Sequence, residues 1–268
     1  MSRRWVVATL LWPLLLAPAA AAEPPAVGPP DAIGAAAQGC LQGAAALPPN
    51  GPFWQVLRPG HNRYWGHPAL VAFIEEMAER ERLRGSLLVG DMSLPRGGRM
   101  PSGHASHQTG LDADILFRRT DRPLTEAERD DPDFAAVIEG GRILPERFGE
   151  AQFQLLRAMA SDPRVERIFV NPVIKRHLCQ SSNGDRRWLQ RIRPWWGHQA
   201  HFHVRLACPA GDAACDPGPA IAAGDGCGTE LDWWFTADAA LPAVKPAPPP
   251  ARYQPAMPSA CKAILAGY

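Results

Sequence analysis

The chain has 268 residues, enough for one large domain or two small ones, and its 46% hydrophobic content is enough to bury a sizeable core. A formal net charge of +1 argues against a nucleic-acid binder that relies on a basic surface. The six cysteines, Cys40, Cys179, Cys208, Cys215, Cys227 and Cys261, include no Cys-x-x-Cys pair, which argues against a cysteine metal site.

Residues 1–22 read as a secretory signal peptide. Arg3 and Arg4 form the positive start, Trp5 to Leu16 is an apolar run interrupted by Pro13, and Ala20-Ala21-Ala22 precedes a cut ahead of Glu23. The run is shorter than the roughly 20 residues a membrane span needs. No cysteine follows the cut, which argues against lipid attachment, and no other stretch is apolar enough to cross a membrane. No stable membrane insertion is therefore expected after cleavage, and the mature formal charge becomes −1. In an exported chain an even cysteine count implies three disulfides. Spacing alone favours only Cys208–Cys215 and leaves the other pairings open.

Residues 23–52 are rich in Ala, Pro and Gly and read as an irregular N-terminal arm pinned by Cys40. His67-Pro68 opens a helix, His67 as a cap, with Leu70, Val71, Phe73, Ile74, Met77 and Ala78 as its apolar face. Ser86 to Met92 predicts a strand, Pro95 to Gly103 a loop, and the alternating Leu111 to Phe117 another strand. Thr125 to Arg129 starts a short helix and Glu150 to Ala160 a longer one. Val165 to Val170 predicts a strand, and Pro172 to Cys179 and Asp185 to Arg191 are helical. Trp195 and Trp196 read as core or groove wall. Ala200 to Leu206 is a strand with His201, His203 and Arg205 on one face and Phe202, Val204 and Leu206 on the other. Residues 236–268 form a Pro-rich C-terminal tail, stapled by Cys261. The expected fold is α+β, an antiparallel sheet with flanking helices. It forms a single domain over 53–235, between irregular disulfide-pinned N- and C-terminal arms.

The chemistry concentrates in two short segments. Ser102 to Asp114 carries His104, His107, Asp112 and Asp114; Trp195 to Val204 carries His198, His201 and His203. Imidazole and carboxylate suit a borderline metal such as zinc, and three protein ligands with an open fourth position is the pattern of a catalytic site. Asp112 and Asp114 share one strand face, as do His201 and His203, so neighbouring strands would let a carboxylate meet an imidazole. One carboxylate and two neutral imidazoles leave a zinc site positively charged, lowering the pKa of bound water toward ~7. His201 and His104 are placed to move a proton or stabilise an oxyanion, with His198 close by. Asp112 reads as a turn or supporting carboxylate rather than a ligand. Ser106 beside His107 raises a Ser–His–Asp hydrolase, but no Gly-x-Ser-x-Gly elbow is present.

His107-(six residues)-Asp114 with a distant His201-x-His203 resembles the zinc peptidases that group lysostaphin-type enzymes, D-Ala-D-Ala metallopeptidases and the hedgehog domain. The longer Ser-Gly-His-Ala-Ser-His-Gln-Thr-Gly-Leu-Asp-Ala-Asp string at 102–114 is more specific. With Asn62-Arg63-Tyr64-Trp65-Gly66-His67-Pro68 and His201-Phe-His-Val-Arg-Leu206, it is similar to the penicillin-insensitive murein endopeptidases. The resemblance covers about residues 38 to 235, plus Cys261. It implies a zinc held by His107, Asp114 and His203, with His104, His198 and His201 as further active-site histidines. It also implies the disulfides Cys40–Cys261, Cys179–Cys227 and Cys208–Cys215. The implied substrate is peptidoglycan, cut in the periplasm at the D-alanyl–meso-diaminopimelyl cross-link by a metal-activated water. The alternatives are a D-Ala-D-Ala carboxypeptidase on the same zinc site and a non-catalytic module that binds zinc or cell wall.

Overall fold

The computed structural model describes residues 23–101, 104–240 and 256–266. The signal peptide read at 1–22 and the proline-rich run at 241–255 lie outside the described residues. Among the described residues no helix is long and apolar enough to cross a membrane.

The chain begins with a hairpin of β1 (Asp31–Ala35) and β2 (Gln38–Gln42). A six-stranded sheet follows, built from β3 (Trp54–Val56), β4 (Leu87–Val89), β5 (Asp112–Leu116), β6 (Val165–Val170), β7 (Ile192–Pro194) and β8 (His201–Leu206). Their order across the sheet is β7-β6-β8-β5-β4-β3. The four central strands pair antiparallel, but the outer pairs β3/β4 and β6/β7 are parallel, so the sheet is mixed where an antiparallel one was expected. Each parallel pair is joined by a crossover containing a helix, as parallel pairing requires: α1 (Pro68–Arg80) between β3 and β4, and α4 (Pro172–Ser181) between β6 and β7. Two further helices are α2 (Glu126–Asp130) and α3 (Glu150–Ser161).

The helix starts follow from local chemistry. His67 Nδ1 accepts from Ala69 N at 3.1 Å with Pro68 in the first turn, as expected of a capping residue. The six apolar residues predicted for the face of α1 are those it buries. They join one large core cluster with Ala113 and Ile115 of β5 and Phe202, Val204 and Leu206 of β8. That is one face of the sheet; the histidines stand on the other. β5 does not alternate in burial as its sequence suggested, since all five of its residues are buried. The loop carrying His107 covers its polar face: His107 N donates to Asp112 Oδ2 at 3.2 Å.

The N-terminal arm was expected to be irregular; instead it forms the β1/β2 hairpin, whose turn is held from outside. Gln108 N donates to Ala36 O at 3.0 Å, Gln108 Nε2 donates to Ala37 O at 2.7 Å, and Gln108 Oε1 accepts from Gly39 N at 3.3 Å. The arm thus packs directly behind the residue that follows His107. Gly110 completes this junction at φ +72, where a Cβ would come within 2.4 Å of Leu41 Cδ2. The three disulfides are Cys40–Cys261, Cys179–Cys227 and Cys208–Cys215, and the first ties the arm to a helical turn at Cys261–Leu265.

Candidate metal centre and active site

Register brings the two histidine segments together. β5 and β8 are adjacent and antiparallel, with His203 directly opposite Asp114 and Arg205 opposite Asp112. Directly opposite residues on one face lie close enough for side chains to interact. Three imidazoles converge on one oxygen, Asp114 Oδ1: His203 Nδ1 at 3.3 Å, His107 Nε2 at 3.5 Å and His201 Nε2 at 3.9 Å. His104 stands by the other oxygen, its Nδ1 3.7 Å from Asp114 Oδ2.

His107 has no exposure, yet neither of its ring nitrogens has a hydrogen-bond partner, and Asp114 Oδ1 is also buried and unpartnered. Buried polar groups are normally satisfied. Opposed imidazole and carboxylate atoms left without partners fit a cation held between them. They also show that Ser106 does not engage the His107 ring, which removes the Ser–His–Asp alternative. His104, His107 and Asp114 each offer a ligand atom, all within 4.8 Å of one another. His203 Nδ1 adds a fourth candidate on the same carboxylate.

Two buried carboxylates support this cluster from behind. Asp112 Oδ1 accepts from Arg205 Nε at 2.6 Å and pairs with His203 Nε2 at 2.7 Å, leaving His203 Nδ1 to face Asp114. Asp112 is therefore a supporting carboxylate, as its position suggested. Asp91, at the end of β4, holds His104 Nε2 at 2.8 Å and is itself met by Arg63 Nη1 at 2.8 Å. Asp91, Arg63 and Arg205 were missed as contributors. Arg205 was legible as a strand-face neighbour of His203; Asp91 had no motif around it.

Electrostatics sharpen the roles. Burial works against ionisation of Asp114, but the neighbouring His107 and His203 imidazoles outweigh it and hold the carboxyl well below the usual range. Asp112 is held low in the same way, burial being overcome by Arg205 and His203. Burial lowers the His107 imidazole to about 4, only partly opposed by Asp114. At neutral pH this pair is thus an anion and a neutral ring, the deprotonated donors a metal requires. His203 differs: burial is outweighed by Asp112 and Asp114, which raise it to about 9. His203 would have to release a proton before it could bind a cation.

The remaining histidines line the approach. Burial lowers His201, and burial together with His201 lowers His198 to about 4. His198 Nδ1 lies 2.8 Å from Trp196 O, so it carries the proton and leaves Nε2 free. The rings of His198 and His201 are 5.1 Å apart. Phe169, opposite His203 on β6, packs edge-on to it at 5.4 Å and carries the wall outward to Trp195. Trp195 and Trp196 are 47% and 37% exposed, so they form wall rather than core. His61 and His177 lie elsewhere; His177 packs on Phe148 at 5.6 Å. A larger cleft beside His177 gathers no metal-ligand group among the described residues.

Comparison with known proteins identifies the family. The family described as penicillin-insensitive murein endopeptidase matches residues 32–266. A protein of that name from Yersinia enterocolitica is 40% identical over 276 residues, covering 98% of this chain and 97% of its own. Those from Klebsiella pneumoniae and Haemophilus influenzae are 42% and 45% identical, covering 90% and 78% of this chain and 88% and 74% of theirs. The match spans both histidine segments, the supporting carboxylates and all six cysteines, and the chain belongs to the penicillin-insensitive murein endopeptidase family of peptidases.

Proposed function

We propose that the chain is a periplasmic zinc metallo-endopeptidase that hydrolyses D-alanyl–meso-diaminopimelyl cross-links in peptidoglycan. The observation that carries this reading is the convergence of imidazoles on Asp114 Oδ1 with both His107 nitrogens unpartnered. Two neutral imidazoles and a carboxylate are a donor set that suits zinc. His107, Asp114 and His203 would hold the ion. Both His203 and His104 have their far nitrogen on a buried carboxylate, Asp112 and Asp91, the arrangement that orients metal-binding histidines. His203 is preferred because it is buried and lies 3.3 Å from Asp114, whereas His104 is 25% exposed and lies 3.7 Å away.

Bound there, zinc supplies Lewis-acid polarisation of a carbonyl and a lowered pKa for water. The chain's own residues do the rest. His201, lowered by burial, is neutral at neutral pH and takes up or returns a proton at Nε2, beside the carboxylate. His198, with its proton on Nδ1 toward Trp196 O, offers Nε2 as a second proton acceptor lining the cleft. Phe169 packs edge-on between the His203 ring and Trp195. The periplasmic assignment is supported by the export signal read at 1–22 and by three disulfides, which persist in oxidising compartments.

The test is digestion of purified cross-linked muropeptide dimers, read by mass spectrometry, before and after chelation and zinc restoration. Monomers are expected, lost on chelation and recovered with zinc. Loss of terminal alanine alone, no change, or cleavage that survives chelation would overturn the reading.

A further inference from the structure

We propose that Arg58 reads the leaving side of the substrate by binding the carboxylate next to the scissile nitrogen; the proposal rests on the cross-link reading above. Beside Asp114 lies a cleft of about 380 Å³, lined by His104, His198 and His201 together with Arg58 and Phe134. Arg58 is the one lysine or arginine among the described residues that line it. An arginine keeps its charge at any working pH.

That charge is poorly used within the protein. Arg58 Nη2 donates to Asp91 Oδ1 at 3.4 Å, a long bond for this pair of atoms. Asp91 has closer partners in Arg63 Nη1 and His104 Nε2, both at 2.8 Å. Arg58 Nε is buried and has no partner. Asp91 thus has two shorter partners besides Arg58, while Arg58 has one long bond to Asp91 and an unpartnered Nε. The side chain is 26% exposed, so it remains within reach of a ligand in the cleft.

The residue is nonetheless held firmly. Its backbone is left-handed at φ 48, ψ 52, a conformation disfavoured for a side chain of this size. Arg58 N donates to Arg129 O at 2.8 Å, and Arg58 O accepts from His61 N at 2.9 Å. The guanidinium lies 5.0 Å from the centre of the Phe134 ring, which supports it as a cation on an aromatic face. A strained backbone that presents an under-paired cation to the cleft is organised for an anion.

The cross-link supplies that anion. Each end of diaminopimelate carries an amine and a carboxyl on one carbon. When D-alanine acylates the amine, the carboxylate stays on the carbon bonded to the scissile nitrogen. A guanidinium matches a carboxylate with two parallel hydrogen bonds. Because Asp91 contacts both Arg58 and His104, a carboxylate held at Arg58 is placed one residue from the histidine cluster.

Two synthetic cross-linked peptide dimers test this, one with that carboxylate free and one with it converted to the primary amide. Steady-state kinetics are measured for the zinc-loaded wild type, Arg58→Gln and Arg58→Lys. A charge-assisted hydrogen bond of ~1.5–3 kcal/mol corresponds to a wild-type preference for the free acid of roughly 10–100-fold in kcat/KM. In Arg58→Gln the ratio is expected to fall toward one, mainly through KM, and in Arg58→Lys to lie between. Equal wild-type kcat/KM on the two dimers would overturn the proposal whatever the variants do. So would an Arg58→Gln enzyme that keeps the wild-type ratio while losing rate on both dimers equally, the result for a purely structural arginine. Wild type that cleaves neither dimer would overturn the cross-link reading itself, a result distinct from equal cleavage of both.

Discussion

Replacing Asp112 with asparagine tests whether His203 binds the metal. The side chain is fully buried, and its oxygens serve His203 Nε2 at 2.7 Å, Arg205 Nε at 2.6 Å and His107 N at 3.2 Å. Asparagine keeps the shape but exchanges one acceptor for a donor and removes the charge. If its amide faces His107 N, two donors meet there; if flipped, the amide meets the Arg205 donor. In either orientation a hydrogen bond to a charged or structural group is lost, and Arg205 loses its counter-charge. With bonds to charged groups worth ~1.5–3 kcal/mol and a broken buried pair bounded at ~3–5 kcal/mol, a loss of about 3 kcal/mol is expected. For a chain of this size that is a fall of roughly 6–12 °C in Tm.

Stability alone would not identify the role, so the deciding readout is metal affinity, measured by competition with a chromophoric chelator. Removing the carboxylate that orients a metal-binding histidine costs roughly 10–100-fold in affinity. Arg205→Gln is the control: it also disturbs Asp112 but leaves the carboxylate on His203, so it should lower Tm with a smaller loss of metal. Asp112→Asn protein with a lowered Tm and wild-type metal affinity would refute the assignment of His203 as an oriented ligand, and His104 would take its place.

Three further outcomes are expected. His201→Ala should keep its metal and its Tm while losing roughly 10²–10⁴-fold in turnover of muropeptide dimers, the loss expected for a proton-transfer or oxyanion group; near-normal cleavage by the loaded variant would contradict the role. Removing the Cys40–Cys261 disulfide by double serine substitution opens a link across 221 positions, worth up to about 5 kcal/mol in the chain-entropy model, and chemical denaturation should show a large loss of stability. Lys175 is buried, and burial, with Arg193 adding and Asp225 opposing, lowers it to about 7. Between that value and its ordinary 10.5 the unfolded chain binds a proton that the folded chain does not. Its destabilisation is therefore full below pH 7 and fades as pH rises, so the stability gap between wild type and Lys175→Met should shift in favour of wild type from pH 7 to 9.5. An unchanged gap would show that Lys175 does not titrate in that window.

Several parts of the fold were open to reading because one physical rule dominated them. The apolar face of α1 follows the helical period and is buried as that period requires. The two faces of β8 follow from side-chain alternation. What alternation does not give is register. That His203 faces Asp114, rather than Phe202 facing it one step along, depends on pairing strands almost ninety residues apart. The hairpin of the N-terminal arm was hidden for a different reason. Its two-residue turn, Ala36-Ala37, lacks the Asn-Gly or Gly signal of such turns and is held by Gln108, a tertiary partner. Asp91 and Arg58 have no local pattern, and Arg63, though inside the 62–68 string, carries no sign of its partner; their importance exists only where the segment after β4, the 104–110 loop and the 58–63 segment meet.

Backbone strain gives an independent line of argument for where the function lies. Among the described residues four non-glycine positions have left-handed backbones: Arg58, Asn62, His107 and His198. Asparagine tolerates that region, and Asn62 Oδ1 also accepts from Trp65 Nε1 at 2.7 Å, so it needs no functional explanation. Of the other three, His198 gains a local contact, its Nδ1 lying 2.8 Å from Trp196 O, while the side chains of Arg58 and His107 make no such local bond. All three sit around Asp114: His107 as its buried partner, His198 and Arg58 on the cleft beside it. Such residues cost on the order of 1–3 kcal/mol each and persist where the surrounding structure over-determines them. Here the determinants are visible: Gln108 anchored on the hairpin next to His107, the Asn171 amide donating to Gly197 O beside His198, and Arg129 O holding the amide of Arg58. Removing any one of these hydrogen bonds would free the neighbouring backbone to leave the strained conformation and carry its side chain away from Asp114. The strain thus gathers around Asp114, which supports the proposed site without reference to the metal or to any relative.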